Sequence, residues 1–375
     1  MENLRVAIIG CGGIANAHAG AWRAVGGGSL VACADISKEA LDRFGARYEI
    51  AGRYLDYPEM LEKEKPDVVH ICTHHHLHAQ MVLTSAKYAP KAIVCEKPVA
   101  LSLGDADAMI EACQKAGIVF VVTHQRRLEA ANILAKQAID SGEIGAMTGI
   151  FCGLHPWSCL LIDGTHLLDL VFRYMDDCPA KYVFGNVFSH SAKRAWGHQN
   201  EDASYGVVHF KNGLSAQFST GGFENPENKD AYFGLRTGVT GPVYYTMTLM
   251  GTKGFVEILG DSREGPPGTP MARLVNTSGE RTLLTNTMRS SPSEHWGFMR
   301  VVSDLVVSLS TGAPHPLDGR LSRNPLEVIT AMGISAKERR PVYLPLDIKD
   351  NPLLSLIDDD AEAWKTYKEY KNGGI

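Results

Sequence analysis

The chain has 375 residues, of which 45% are hydrophobic and 21% charged, and a formal net charge of -5. That length exceeds what one ordinary core organises and points to two domains in a soluble globular protein. No Lys/Arg stripe stands out, which argues against a nucleic-acid partner. The longest uncharged stretch, Ile144–Ile162, contains His155, Pro156 and three glycines, which argues against a membrane helix.

From Leu4 to about Thr123, short Val- and Ile-rich runs alternate with segments of helical apolar spacing. The runs Leu4–Ile9, Ser29–Ala34, Asp67–Cys72, Lys91–Cys95 and Ile118–Thr123 read as strands. Ala15–Ala24, Lys38–Tyr48, His78–Lys87 and Asp105–Ala116 read as helices. Strand and helix in alternation predict a doubly wound parallel sheet with right-handed crossovers. The near-continuous apolar strands predict helices on both faces.

The rhythm changes near Thr123–Arg127, which sets the expected domains at residues 1–124 and 125–375. Helices are predicted over Glu129–Ser141 and Thr165–Tyr174. Strands follow at Tyr182–Phe188, Ser204–Phe210, Leu214–Thr220, Val243–Met250 and Phe255–Leu259, with Asn212-Gly213 as a hairpin turn. Their polar/apolar alternation predicts an α+β domain with a large open, mostly antiparallel sheet. Helices return at Ser293–Ser310 and Asn324–Ala336. No secretory leader is visible, and the eight cysteines form no C-x-x-C pair, so free thiols in a reducing cytoplasm are expected.

Gly10, Cys11, Gly12, Gly13, Ile14 and Ala15 follow the first run and open the first helix, fitting G-x-G-x-x-A. Gly10 suits a tight turn, Gly12 a close backbone approach to a pyrophosphate, and Ala15 close helix–strand packing. The helix start offers N–H groups and a positive dipole end to phosphates. Asp35 ends the second run, where a carboxylate accepts both ribose hydroxyls and repels a 2'-phosphate. NAD is therefore expected over NADP, with Lys38 nearby leaving room for both.

Ligands of such sheets bind at the carboxyl ends of the strands. That places Glu96, Lys97 and Pro98, after Lys91–Cys95, against a nicotinamide, with Lys97 as candidate acid/base and Pro98 as a candidate cis proline. It also places Thr73, His74, His75 and His78 at the cofactor. No metal site is expected from these histidines, because adjacent side chains diverge and no carboxylate or cysteine cluster stands beside them. Arg127, at the domain junction, is a further cofactor candidate. His166 and Asp169 lie three apart at the start of an apolar helix opened by Asp163. A histidine there takes a hydroxyl proton and an acidic neighbour orients it. His155 and Trp157 are candidate substrate contacts.

Taken together, the chain resembles the Gfo/Idh/MocA family of sugar and polyol oxidoreductases. The resemblance rests on Gly10–Ala15, Thr73 to His78, Glu96-Lys97-Pro98, Arg127 with its following helix, and Gly164-x-His166-x-x-Asp169. It implies a Rossmann domain, a second domain that packs into dimers or tetramers through its open sheet, and NAD(P)-linked chemistry at a sugar, anhydrosugar or cyclitol carbon. It also implies that Lys97 and His166 act with an aspartate four residues before the histidine. That position here is Ile162, and the acid stands at Asp163 instead. His74 and His75 replace the Pro-Asn common in the family.

Two other readings use the same residues. A hydrolase or lyase oxidises the sugar transiently on a recycled NAD, forming product with no net NADH. A non-catalytic NAD(H) sensor would lack the lysine and histidine, and both are present.

Overall fold

A computed structural model of the chain describes residues 3–155, 158–189, 194–195, 198–221, 223–225, 228–233, 244–260, 268, 270–285 and 296–357. The chain divides into two compact units, residues 1–129 with 290–323, and residues 130–289 with 324–375.

The first unit begins β1 (Leu4–Ile9), α1 (Ala15–Val25), β2 (Gly28–Ala34), α2 (Lys38–Arg47), β3 (Gly52–Tyr54) and α3 (Tyr57–Glu64). It continues β4 (Val68–Ile71), α4 (His78–Ala86), β5 (Ala92–Cys95), α5 (Leu103–Lys115) and β6 (Val119–Val122). The six strands form one sheet in the order β3-β2-β1-β4-β5-β6, every pair parallel. This is the doubly wound dinucleotide order. β4 and β5 are buried at every residue, as strands covered on both faces must be. Ser37 and Ser102 cap α2 and α5 by accepting the Ala40 and Asp105 N–H groups. The sequence reading has no counterpart for β3 or α3. Three residues are too few to establish a period of two.

The second unit contains α6 (Ala130–Asp140), β7 (Met147–Leu154), α7 (Gly164–Tyr174), β8 (Ala180–Phe188), the ribbon β9 (Arg194–Ala195) and β10 (His198–Gln199), β11 (Ala203–Phe210) and β12 (Ser215–Gly221). A ribbon of β13 (Phe223–Asn225) and β14 (Asn228–Phe233) follows, then β15 (Tyr245–Gly251), β16 (Gly254–Leu259), β17 (Pro270–Asn276) and β18 (Gly279–Thr285). With β19 (Val342–Tyr343) they build a nine-stranded sheet ordered β18-β17-β16-β15-β7-β12-β11-β8-β19. All its pairs are antiparallel except β12 with β7. The Asn212-Gly213 turn joins β11 to β12, with Gly213 at φ +86° and the Asn212 side chain accepting the Leu214 N–H.

Helix α9 (Arg323–Glu338) covers one face of this sheet. A Cβ on Gly185 or Gly206 would lie within 3 Å of Met332 Sδ, so two glycines let the helix sit close. The other face carries Phe151, Phe184, Tyr205, Met250 and Tyr343, all exposed.

Helix α8 (Trp296–Thr311) belongs to the first unit, although the sequence reading groups it with the second. Its Phe298, Val301, Val302 and Leu305 join Val6, Trp22, Val94 and Val121 in one apolar core. The segment after it pairs with the edge strand β6, Val122 donating to Leu317 O and Gly319 to Phe120 O. An uncovered strand edge presents unpaired N–H and C=O groups, so this return has a physical reason. Among the described residues no helix is long and apolar enough to cross a membrane. All eight thiols are free, and every one except half-buried Cys178 is buried.

Candidate functional site

In the first unit the chemistry-bearing residues gather at the carboxyl ends of β1, β2, β4, β5 and β6. Gly10 leaves β1 at φ +91°, and a Cβ there would stand 2.8 Å from the Cys72 carbonyl oxygen at the end of β4. Only glycine turns the chain so tightly beside a neighbouring strand. Gly12 and Gly13 face the opposite condition: a Cβ on either would meet nothing within 4 Å. They bound open space in front of α1. Its cap residue Ile14 supplies no side-chain cap, and no acidic residue stands in the first turn to repel an anion. Ala15 is fully buried behind the loop.

Asp35 lies at the end of β2. Its Oδ2 accepts the Cys11 N–H at 2.7 Å and its Oδ1 accepts the Ser37 N–H at 2.8 Å. The carboxylate is thereby aimed and tied to the glycine loop. Lys38 turns away to Asp42, 2.6 Å distant, one helical turn on. Ile36 is 94% exposed. A bare isoleucine beside an aimed carboxylate offers an apolar shelf of the kind that suits a purine base, and its sequence position gave no signal of this. The open glycine cradle, uncapped helix start, carboxylate and apolar shelf fit a dinucleotide.

Thr73 follows β4, and His75 sits in a 3-10 turn at His75–Leu77. The His74 and His76 rings stack 6.1 Å apart. Among the described residues no cluster of three or more His, Cys, Asp or Glu is arranged to hold a metal ion. His78 is buried, with Nδ1 2.8 Å from Pro98 O and Nε2 3.1 Å from Thr73 O, so it braces the β4 turn against the β5 turn. Burial pulls its pKa below the ordinary value, against the opposite pull of those carbonyls. The Lys97–Pro98 bond is cis.

Glu96 is buried at the end of β5. Its Oε1 lies 2.8 Å from His18 Nε2 and accepts the Thr123 hydroxyl at 2.7 Å, and its Oε2 accepts the Lys97 N–H at 3.2 Å. Burial opposes its charge. The His18 hydrogen bond, with Lys97 and Thr123, outweighs that and holds the carboxyl below its usual range. Arg127 is buried in the 3-10 turn Gln125–Leu128.

In the second unit α7 opens at Gly164, and Asp163 occupies its cap position. Asp163 Oδ1 accepts the Tyr244 hydroxyl, and Asp163 O accepts the His166 N–H. His166 and Asp169 are both buried. The His155 ring meets the Tyr244 ring edge-on at 5.1 Å, and His155 N–H donates to Tyr244 O. Asp163, Tyr244 and His155 therefore form one cluster before α7. Tyr244 escaped the sequence reading because nothing local links it to a residue 81 positions earlier. Ile162 is buried. Trp157 lies outside the described residues.

Residues 4–124 match the family model described as oxidoreductase family, NAD-binding Rossmann fold. The chain is 36% identical over 145 residues to a D-apiose dehydrogenase of Paraburkholderia graminis, covering 39% of this chain and 38% of that one. It is 28% identical over 187 residues to a myo-inositol 2-dehydrogenase of Thermotoga maritima, covering 48% and 55%. The chain thus spans about half the length, or less, of the curated relatives it matches. An oxidoreductase from Agrobacterium radiobacter, solved with NAD+, L-tartaric acid and magnesium, has the same fold. It gives a TM-score of 0.76 at 19% identity, over 91% of this chain and 98% of that one. Residues 4–124 are thus similar to the NAD-binding Rossmann domain of the Gfo/Idh/MocA oxidoreductase family.

Proposed function

We propose that the protein is an NAD-dependent dehydrogenase that moves a hydride between the nicotinamide and a hydroxyl-bearing carbon of a sugar, anhydrosugar or cyclitol. The observation that carries this reading is the arrangement in the first unit. The glycine loop and Asp35 receive a dinucleotide, and Lys97 stands at the carboxyl end of β5 with its backbone tied to Glu96. Bound NAD supplies the hydride acceptor. Gly10, Gly12, Gly13, Ile14 and Ala15 hold the pyrophosphate, Asp35 the adenosine ribose, and Thr73, His74, His75, Glu96 and Arg127 wall the cofactor side, with buried His78 bracing that wall from behind.

A carbinol carbon releases hydride only as its hydroxyl proton leaves. His166 takes that proton, and the Lys97 ammonium polarises the substrate oxygen, relaying a proton only by giving up one of its own. Asp163, tied to Tyr244, and His155 bind neighbouring substrate hydroxyls, as does Trp157. The D-apiose and myo-inositol relatives support a polyhydroxylated substrate.

The test is a spectrophotometric screen of sugars, anhydrosugars and cyclitols with NAD and with NADP, on the wild type and on Asp35→Ala. NADH accumulation is expected with some member of the panel. Asp35→Ala is expected to weaken NAD more than NADP, because it removes the ribose acceptor and the repulsion of a 2'-phosphate together. Product formed with no net NADH would replace this reading by the redox-neutral elimination. Cofactor binding with no turnover on the panel would favour the sensor.

The exposed aromatic face of the nine-stranded sheet is the surface we assign to a second copy of the chain. Tyr205→Glu is expected to lower the mass in solution towards that of one chain. A wild type already monomeric at micromolar concentration would remove this assignment.

A further inference from the structure

A row of buried polar groups crosses the core of the first unit and reaches the lysine. His18 and Trp22 lie one turn apart on α1, His70 on β4, Glu96 after β5 and Thr123 after β6. None is more than 6% exposed. Trp22 Nε1 is 2.8 Å from His70 Nε2, His70 Nδ1 is 2.8 Å from His18 Nδ1, and His18 Nε2 is 2.8 Å from Glu96 Oε1. Phe298 of α8 closes against the His18 ring at 4.8 Å. Apolar side chains surround the row, including Val6, Val68, Val94 and Leu128.

Elementary chemistry orients every proton in it. An indole nitrogen only donates, so His70 Nε2 accepts. Burial pulls the His70 pKa well below the usual value, and a ring that accepts at Nε2 carries one proton. That proton sits on Nδ1 and is given to His18 Nδ1. The contact between the two Nδ1 atoms admits one proton, so His18 presents its own N–H from Nε2 to Glu96. Glu96 Oε2 in turn accepts the backbone N–H of Lys97. The row cannot conduct protons, because it ends on an indole N–H that does not ionise near neutral pH. What remains for it is orientation.

We propose that Trp22, His70 and His18 are positioning residues for Lys97, a one-way chain of hydrogen bonds that locks the Glu96 carboxylate and, through it, the Lys97 backbone at the reacting end of the sheet. This rests on the reading of Lys97 as an acid/base group. Small displacements of such a group lower turnover more than they lower binding.

The experiment has two arms on the full chain loaded with NAD. In the first, long-range proton–nitrogen correlation spectra of the histidine-labelled wild type are expected to place the proton of His70 on Nδ1 and that of His18 on Nε2. A His70 proton on Nε2 would overturn the proposal, whatever the enzyme's activity. In the second, His18→Leu is expected to lower kcat about 10-fold or more, with KM and the NADH Kd within about twofold of wild type. His18→Gln, which keeps a donor toward Glu96, is expected to recover most of the loss. Folded His18→Leu and Trp22→Phe proteins turning over at the wild-type rate would also overturn it. Lys97→Ala separates the two claims. If it is inactive while these variants are fully active, the reading of Lys97 stands and this inference falls.

Discussion

Lys97→Ala is expected to lower turnover by about 10²- to 10⁴-fold, the usual loss for a missing acid/base group, while NAD binding changes little. The asymmetry follows from where the interactions lie. In the proposed function the dinucleotide is received by the glycine loop and Asp35, which lie at the ends of β1 and β2. Lys97 instead follows β5, and in the proposed function its ammonium meets the reacting carbon. Removing its ammonium therefore leaves the cofactor's binding surface intact and withdraws charge where the substrate oxygen needs it. Single-turnover absorbance at the NADH band gives the rate, and fluorescence titration with NADH gives the affinity. Unchanged turnover would remove Lys97 from the mechanism. A parallel loss of cofactor affinity would make it a binding residue instead.

The second large effect separates two glycines of one motif. Gly10→Ala is expected to destabilise the first unit by roughly 2–4 kcal/mol, from the positive-φ penalty of about 1–2 kcal/mol and overpacking. The added Cβ would lie 2.8 Å from Cys72 O and 2.9 Å from Thr73 Cγ2. The Cys72 backbone is pinned at the end of β4 by its own N–H, which donates to Ile9 O, so its carbonyl has little freedom to step aside. The corresponding fall in melting temperature is about 5–12 °C for a unit of this size. Gly12→Ala meets nothing within 4 Å and carries no positive φ, so its melting temperature should stay within a degree or two of wild type. Its methyl group instead occupies the space a pyrophosphate needs, and the Kd for NAD is expected to rise at least about tenfold. Thermal melts without cofactor and NADH titrations measure the two effects separately. Equal destabilisation by both substitutions would contradict the geometry, and unimpaired NAD binding by Gly12→Ala would move the phosphates elsewhere.

Both expectations depend on residues whose roles are local, and those are the parts a sequence states most clearly. The run Leu4–Ile9 is β1, and the glycine motif opens α1 directly after it. Asp35 follows β2, and Glu96 with Lys97 follows β5. Each is written within a few positions of a strand end, because a buried strand needs consecutive apolar residues and a tight turn needs glycine. The alternation of runs and helices likewise determines the parallel sheet, since short crossovers leave a doubly wound topology as the solution. β7 was harder to read. It lies within an uncharged stretch interrupted by glycines, and its place at the centre of the nine-stranded sheet comes from neighbours β15 and β12, distant in sequence.

What the residue order determined by itself was the cofactor end, the change to an antiparallel sheet after Thr123, and the candidate lysine and histidine. Only the tertiary structure decided that α8 returns to the first unit, that Tyr244 holds Asp163, and that Trp22, His70 and His18 line up behind Glu96. The reason is one of range. Backbone periodicity and turn chemistry act between residues a few positions apart, whereas a side-chain hydrogen bond between α1 and β4 exists only after the sheet has brought positions 18 and 70 within 3 Å.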